Sequence, residues 1–174
     1  MPELIAPTTR LHADWLEAHE EWGPGLHEDG FGLEPSDEVA SATGFAAWLA
    51  RLAEEEDPAT AERTGRMRLV YRWIVECDRV LGGIALRYGQ DDFVLSAGHI
   101  GYGVRPSARG HGVATWALGR MLYEARAAGL DRVLLVCEDD NLASAKTVER
   151  QGGVLEGVQD TEHGSVRRYW IEIA

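Results

Sequence analysis

The stretch Ile100-Gly101-Tyr102-Gly103-Val104-Arg105-Pro106-Ser107-Ala108-Arg109-Gly110-His111-Gly112-Val113-Ala114-Thr115 decides the fold. A strand ends at Val104, Pro106 turns the chain, and a short basic, glycine-rich loop opens the strongest helix in the sequence. That helix carries Ala114, Ala117, Leu118, Met121, Leu122 and Ala125 on one side and Arg120, Glu124 and Arg126 on the other. A loop so placed aims backbone N–H groups outward at the positive end of a helix, which suits a phosphate or pyrophosphate. Gly110 and Gly112 remove side chains that would hold an anion away, and Arg105 and Arg109 add positive charge. A Walker loop is excluded, because no Gly-Lys-Ser/Thr ending occurs. A dinucleotide fingerprint fails as well, since Pro106 stands where the third glycine belongs. A ligand-free turn between strand and helix is the remaining structural alternative.

Outward from this stretch, Gly129-Leu130 stops the helix, and the continuously apolar run from Val133 to Val136 reads as a strand covered on both faces. The strand, helix, strand order predicts that this strand lies parallel to the one ending at Val104. Asn141 caps a helix from Leu142 to Arg150, Gly152-Gly153 ends it, and strands near 154–158 and 166–173 close the chain. Upstream, a period of two from Met67 to Val75, a strand from Val80 to Arg87 and a third near 98–104 predict an antiparallel meander. The N-terminal third predicts a helix capped by Thr9 (Leu11, Trp15, Leu16, His19) and a glycine-rich loop. A helix capped by Ser36 (Phe45, Trp48, Leu49, Leu52) follows and ends at Pro58. The expectation is one α/β domain over residues 1–174, with a mixed, mostly antiparallel sheet and about four helices.

A formal charge of −12 argues against nucleic acid or an anionic membrane as partner, because both require a concentrated positive field. It suits a cationic small molecule, and it also simply keeps a protein in solution. No run of apolar residues is long enough to span a bilayer and no signal core opens the chain, so a cytoplasmic protein is expected. Cys77 and Cys137 sit in strand-like stretches and are expected to be buried and reduced. The six histidines show no zinc-ligand spacing, so no metal is expected.

Arg109-Gly110-His111-Gly112-Val113-Ala114 resembles the Q/R-x-x-G-x-G/A signature of the GNAT acetyltransferases. Val104-Arg105-Pro106 resembles the V-x-P that precedes it, and Asn141 with Ser144 resembles the start of the following helix. The phrase from His99 to Ala114 and the ending Arg167-Arg168-Tyr169-Trp170 are similar to a bacterial group of predicted enzymes of this kind. The resemblance implies a GNAT-type fold in which acetyl-CoA enters a V-shaped opening between two splayed parallel strands. Its pantetheine would pair with backbone at Tyr102, Gly103 and Val104, and its pyrophosphate would rest on Arg109, Gly110, His111, Gly112, Val113 and Ala114. Asn141, Ser144 and Lys146 would complete the cofactor contacts. As bare sequence features, Asn141 reads equally as a helix cap and Lys146 as a solvated charge.

An amine has a pKa near that of lysine, about 10.4, so its nucleophilic form is scarce at neutral pH and a proton acceptor is needed. His99 is the candidate, against the reading that its ring packs within the sheet. Many family members carry a tyrosine seven residues past the asparagine as donor to the departing thiolate. Here that position is Val148, which leaves Tyr102, Cys137, Tyr169 or water. The resemblance further implies that the first two helices and their loop wall the acceptor site, where Trp22, His27, Glu28, Asp29 and Phe31 stand with Glu20, Glu21 and Glu34. Interleaved carboxylates and rings favour a cation, against the alternative of solvated acids and core-packed rings. The reading is an acetyl-CoA-dependent N-acetyltransferase acting on a primary amine of a small molecule or peptide. The competing reading, which Val148 favours, is a non-catalytic acyl-CoA-binding or regulatory module. A homodimer is compatible with either.

Overall fold

The computed structural model describes residues 1–24 and 29–174. Four strands, β1 (Glu3–Ile5), β2 (Arg68–Glu76), β3 (Arg79–Tyr88) and β4 (Ile100–Val104), pair antiparallel in sequence order. Three more, β5 (Arg132–Glu138), β6 (Val154–Thr161) and β7 (Gly164–Glu172), pair antiparallel in the order β5-β7-β6. The described residues form six α-helices: α1 (His12–Trp22), α2 (Ala42–Glu56), α3 (Pro58–Thr64), α4 (Asp92–Ala97), α5 (Val113–Ala127) and α6 (Leu142–Arg150).

The first sheet is covered on both faces, which explains why β3 is buried from Val80 to Leu86 without alternation. On one face Ile84, Leu86, Ile100 and Val104 pack against Ala117, Leu118 and Met121 of α5, continuous with Val133 and Leu135 of β5. On the other, Trp73, Val75 and Ala85 pack against Trp15 of α1 and Phe45, Trp48 and Leu52 of α2, around Phe31. The helical stripes read from the sequence are the ones that make these contacts. Their caps sit elsewhere than expected: Thr8 rather than Thr9 opens the first helical turn, and Ser41 rather than Ser36 accepts from Gly44 N–H at the start of α2.

Three expectations need correction. The helices number six, because α3 and α4 are too short to stand out by apolar periodicity. The parallel pairing of β4 with β5 does not form a ladder, and all strand pairing within the two sheets is antiparallel. Among the described residues, the backbone of the two sheets joins where His99 N–H donates to Leu134 O at 2.7 Å and Gly98 bridges Leu135. Cys77 is exposed in the two-residue turn between β2 and β3, where Cys77 and Asp78 both take positive φ, the backbone that so tight a hairpin requires.

Arg105, read from the sequence as a charge for the glycine loop, points the other way. It is 1% exposed. Its Nε donates to Glu21 and its Nη2 to Glu17, both at 2.7 Å, and Nη1 donates to Val80 O. Glu21 also accepts from Ser107 N–H. Burial opposes ionisation of Glu21, but the Ser107 hydrogen bonds and the Arg105 guanidinium outweigh it and pull its pKa down to about 2. This cluster fastens α1 to the turn that follows β4.

Replacing Arg105 by Met should destabilise the fold by about 2–4 kcal/mol, because it strands two carboxylates around a lost buried cation while Glu17 keeps some solvent. A folded-state pKa below the unfolded value means that Glu21 contributes stability above about pH 4.5, lost as pH falls toward 2. Urea midpoints measured from pH 7 to pH 3 should therefore fall steeply in the wild type over that window and less steeply in Glu21→Gln.

Candidate active site

After the single pin at His99, β4 and β5 part. The gap is an opening of about 240 Å³ lined by Asp29, Ile100, Gly101, Tyr102, Leu135, Val136, Ser144 and Val148. The edge of β4 that faces it has no strand partner, so its backbone groups are free to meet an extended ligand. Arg109 Nε does reach back to Val104 O at 2.8 Å, which fixes the far end of this edge.

Beyond β4, Gly110 and Gly112 adopt φ of 77° and 78°, a backbone that L side chains rarely take. Gly112 is the N-cap of α5, no side chain caps that terminus, and its first turn carries no acid. The loop from Arg109 to Gly112 is exposed. Uncapped N–H groups at the start of a 15-residue helix, with an unobstructed approach, fit a pyrophosphate. Arg105 is not among its charges. Lys146 is exposed on α6, and Asn141 caps that helix, its Oδ1 accepting from Ser144 N–H at 3.1 Å.

His99 sits at the vertex. Its Nδ1 accepts from Leu134 N–H at 2.9 Å, so the neutral ring carries its proton on Nε2, which is enclosed without a hydrogen bond. Burial holds its pKa below the ordinary histidine value, against the Gly89 backbone. The ring is thus built into the strand junction. Tyr102 instead reaches across the opening to α6, with its hydroxyl 2.8 Å from Ser144 Oγ. Burial pushes its pKa up to about 12, so it stays protonated at neutral pH. Cys137 is half-buried on β5. Burial raises its thiol pKa, and the Ser144 hydroxyl works against that by bonding the thiolate form. Tyr169 is buried on the far side, donating to Glu149 of α6 at 2.9 Å, and does not line the opening.

The family model for the GNAT acetyltransferase domain matches residues 7–154. The chain belongs to the GNAT acetyltransferase family. Its reaction is transfer of an acetyl group from acetyl-CoA to an amine. Curated proteins give no match in sequence. Among solved structures, RimJ of Mycobacterium smegmatis in complex with CoA-disulfide is 18% identical, with 98% of this chain and 81% of that chain covered at a TM-score of 0.72. The ribosomal L7/L12 alpha-N-protein acetyltransferase RimL in complex with coenzyme A is 17% identical, covering 98% and 93% at 0.69. The microcin C7 self-immunity acetyltransferase MccE in complex with acetyl-CoA and AMP is 16% identical, covering 98% and 92% at 0.67. At these identities the likeness is one of fold.

Within this GNAT fold the expected acceptor wall is only partly assembled. His27 and Glu28 lie outside the described residues. Phe31 is fully buried among Trp15, Trp22 and Trp73, so it belongs to the core and not to a binding surface. Glu21 is held by Arg105, and Glu34 lies at the surface, 3.6 Å from Arg51. Trp22 is half-buried over Gly103, and Asp29 remains. A Cβ on Gly101 would lie 2.7 Å from Asp29 Oδ1, and one on Gly103 would lie 2.8 Å from Asp29 O. These two glycines of β4 let Asp29 lie close against the strand, at the mouth of the opening. Sequence reading missed both this approach and the Tyr102–Ser144 pair. The alternation of glycine with Tyr102 along β4 was the available signal, since two small residues on one strand face announce a close neighbour.

Gly112→Glu should weaken acetyl-CoA binding at least 100-fold, because it sets a carboxylate where the pyrophosphate is expected. Gly112→Asn, which tolerates the left-handed backbone, should bind within a few-fold of wild type. Calorimetric titration of both folded variants with acetyl-CoA checks the pair.

Proposed function

We propose that the acceptor is a primary amine carried into the site as a cation, and that the hydroxyl pair Ser144–Tyr102 serves the departing thiolate. The observation that supports the first part is the Asp29 carboxyl at the opening. Among the described residues it makes one hydrogen bond, to Gly30 N–H at 2.9 Å, and no ion pair. A carboxylate so placed attracts an ammonium group, and the net charge of −12 favours its approach. The α-amino group of a peptide, the substrate class in RimL's own description, and a free polyamine both satisfy this chemistry.

For the second part, Val148 leaves no hydroxyl at the usual helix position, but Ser144 lies one turn earlier on α6 and lines the same opening. Tyr102, kept protonated, can donate to Ser144 Oγ, and in that orientation the serine proton is free to point into the opening. A hydroxyl that favours the thiolate form of Cys137 is suited to favour a second thiolate arriving beside it. His99, tied by Nδ1 to the strand junction, then has a positioning role: it holds β4 and β5 together at the apex from which the opening spreads. A cytoplasmic location is part of this reading, supported by the use of acetyl-CoA and by two free cysteines. No helix among the described residues is long and apolar enough to cross a membrane.

A panel of spermidine, an N-terminal alanine peptide, a neutral alcohol and an acidic amine should show CoA release with the two cations foremost, and their KM should rise with salt. A preference for the acidic or the neutral acceptor would overturn the cation reading. Ser144→Ala should lower kcat by about 10–100-fold with little change in acetyl-CoA affinity. An unchanged kcat in steady-state assays with any acceptor limited by chemistry would remove Ser144 from the reaction.

A further inference from the structure

Of the described residues that line the opening between β4 and β5, two titrate: Asp29 and Tyr102. Tyr102 holds its proton at neutral pH and is engaged with Ser144, so it cannot accept one from an arriving ammonium. His99 is the next titratable group along β4. It is 3% exposed, is absent from the lining, and has Nδ1 committed to Leu134 N–H. The Cys137 thiol lies beyond the lining and is raised by burial.

We infer that the Asp29 carboxylate is the proton acceptor for the amine, a role distinct from attracting it. The inference rests on the cation reading above and deepens it. Three observations carry it. Asp29 lies on β4, the strand whose free edge faces the opening, pressed so close to Gly101 that a Cβ there would meet Oδ1 at 2.7 Å and Oδ2 at 3.2 Å. The backbone of the same segment is clamped: a Cβ on Gly30 would lie 2.3 Å from Gly83 O of β3, and Phe31 is anchored in the core. The carboxyl is thus positioned by three glycines and one buried ring, without a salt bridge that would pin its charge. The residue keeps open surface toward the cleft, yet its carboxyl is hemmed in by the sheet. That desolvation raises its pKa, with the Arg87 guanidinium of β3 and the Gly30 N–H opposing. A carboxylate of raised pKa is a stronger base than an ordinary one.

The step balances as follows. The ammonium gives one proton to Asp29, and its nitrogen lone pair forms the C–N bond to the thioester carbon. The nitrogen then gives a second proton to solvent as the C–S bond breaks. The departing sulfur takes one proton from Ser144, which is refilled from water through Tyr102. Two protons leave nitrogen, one reaches sulfur, and one is released in net to the medium when Asp29 deprotonates again. The groups that bear on Asp29 are Arg87 from β3 and Tyr102 from β4, and Tyr102 feels the Asp29 charge in return.

Asp29→Asn keeps the size and loses the base. With spermidine or the alanine peptide at pH 7.5, kcat should fall 100-fold or more while acetyl-CoA affinity stays within a few-fold. The acid limb of the wild-type kcat profile should vanish in the variant. With hydroxylamine, which is neutral at that pH and needs no proton taken from it before attack, the loss should shrink to less than 10-fold. A residue that only attracts the acceptor would instead raise KM for the cations, leave the pH limb in place and spare kcat. That result overturns the proton-acceptor role while the cation reading survives. A panel with no cation preference overturns the cation reading itself. A readout independent of turnover is infrared titration of the wild type against Asp29→Asn. A carboxyl band titrating above the ordinary aspartate value of about 3.9 and missing from the variant supports the inference, and one at or below that value overturns it. Gly101→Ala, which displaces the carboxyl without removing it, should reproduce the kcat loss in part with the fold intact by circular dichroism.

Discussion

The parting of β4 from β5 is the constraint on which the rest of the molecule depends. Adjacent strands ordinarily satisfy one another's backbone groups, and a buried strand edge without a partner is costly. Here the junction is allowed one pairing, at His99 and Leu134, after which β4 is left with an unpaired edge. His99 makes this tolerable at the apex, since its ring supplies the acceptor that Leu134 N–H would otherwise seek from a strand. The same gap that leaves backbone groups wanting partners has the form of a slot for an extended ligand arm. The rest of the fold holds the gap open. Core side chains pack α5 against one face of the first sheet, and α1 and α2 brace the other.

Charge is distributed by a related economy. A protein with net charge −12 has to bind an anionic donor, and its basic residues near the donor loop do not all serve that end. Arg105 is consumed by Glu17 and Glu21, and Arg109 bonds Val104 O. The anion site is left chiefly to backbone N–H groups at the start of α5, whose partial charge does not conflict with an acidic surface elsewhere.

How much of this could be read from residue order alone differs by feature. The strand, turn and helix around Pro106 were legible because their signals are local: proline, glycines and helix start lie within one continuous stretch, and each has a conformational reason to be there. The helices of the core were legible by their 3.6-residue period, and the meander by its period of two. Pairing across long separations was not. Nothing adjacent to Arg105 reveals that its partners lie in α1, and its neighbours in sequence suggested a phosphate instead. Likewise Phe31, one of several aromatics beside acids, is indistinguishable from a binding-site ring until its burial is known. Strand direction between β4 and β5 was inferred from connectivity, a rule that assumes the strands pair, which these scarcely do.

The Arg105 cluster has a consequence for the order in which the molecule is built. Glu21 and Glu17 lie 84 and 88 positions before the arginine they hold. As a chain emerges from synthesis, α1 is available long before β4, yet neither can bury its charge without the other. Contacts of such separation carry the loop-closure entropy that slows folding, so docking of α1 belongs to its later stages. Until then the turn after β4 lacks the Glu21 carboxylate that secures Ser107, and the donor loop it precedes has no fixed base. Maturation of the loop after β4 thus waits on a segment made long before it, and a chain with its first helix clipped away would keep the glycine signature intact while losing the strut beneath it.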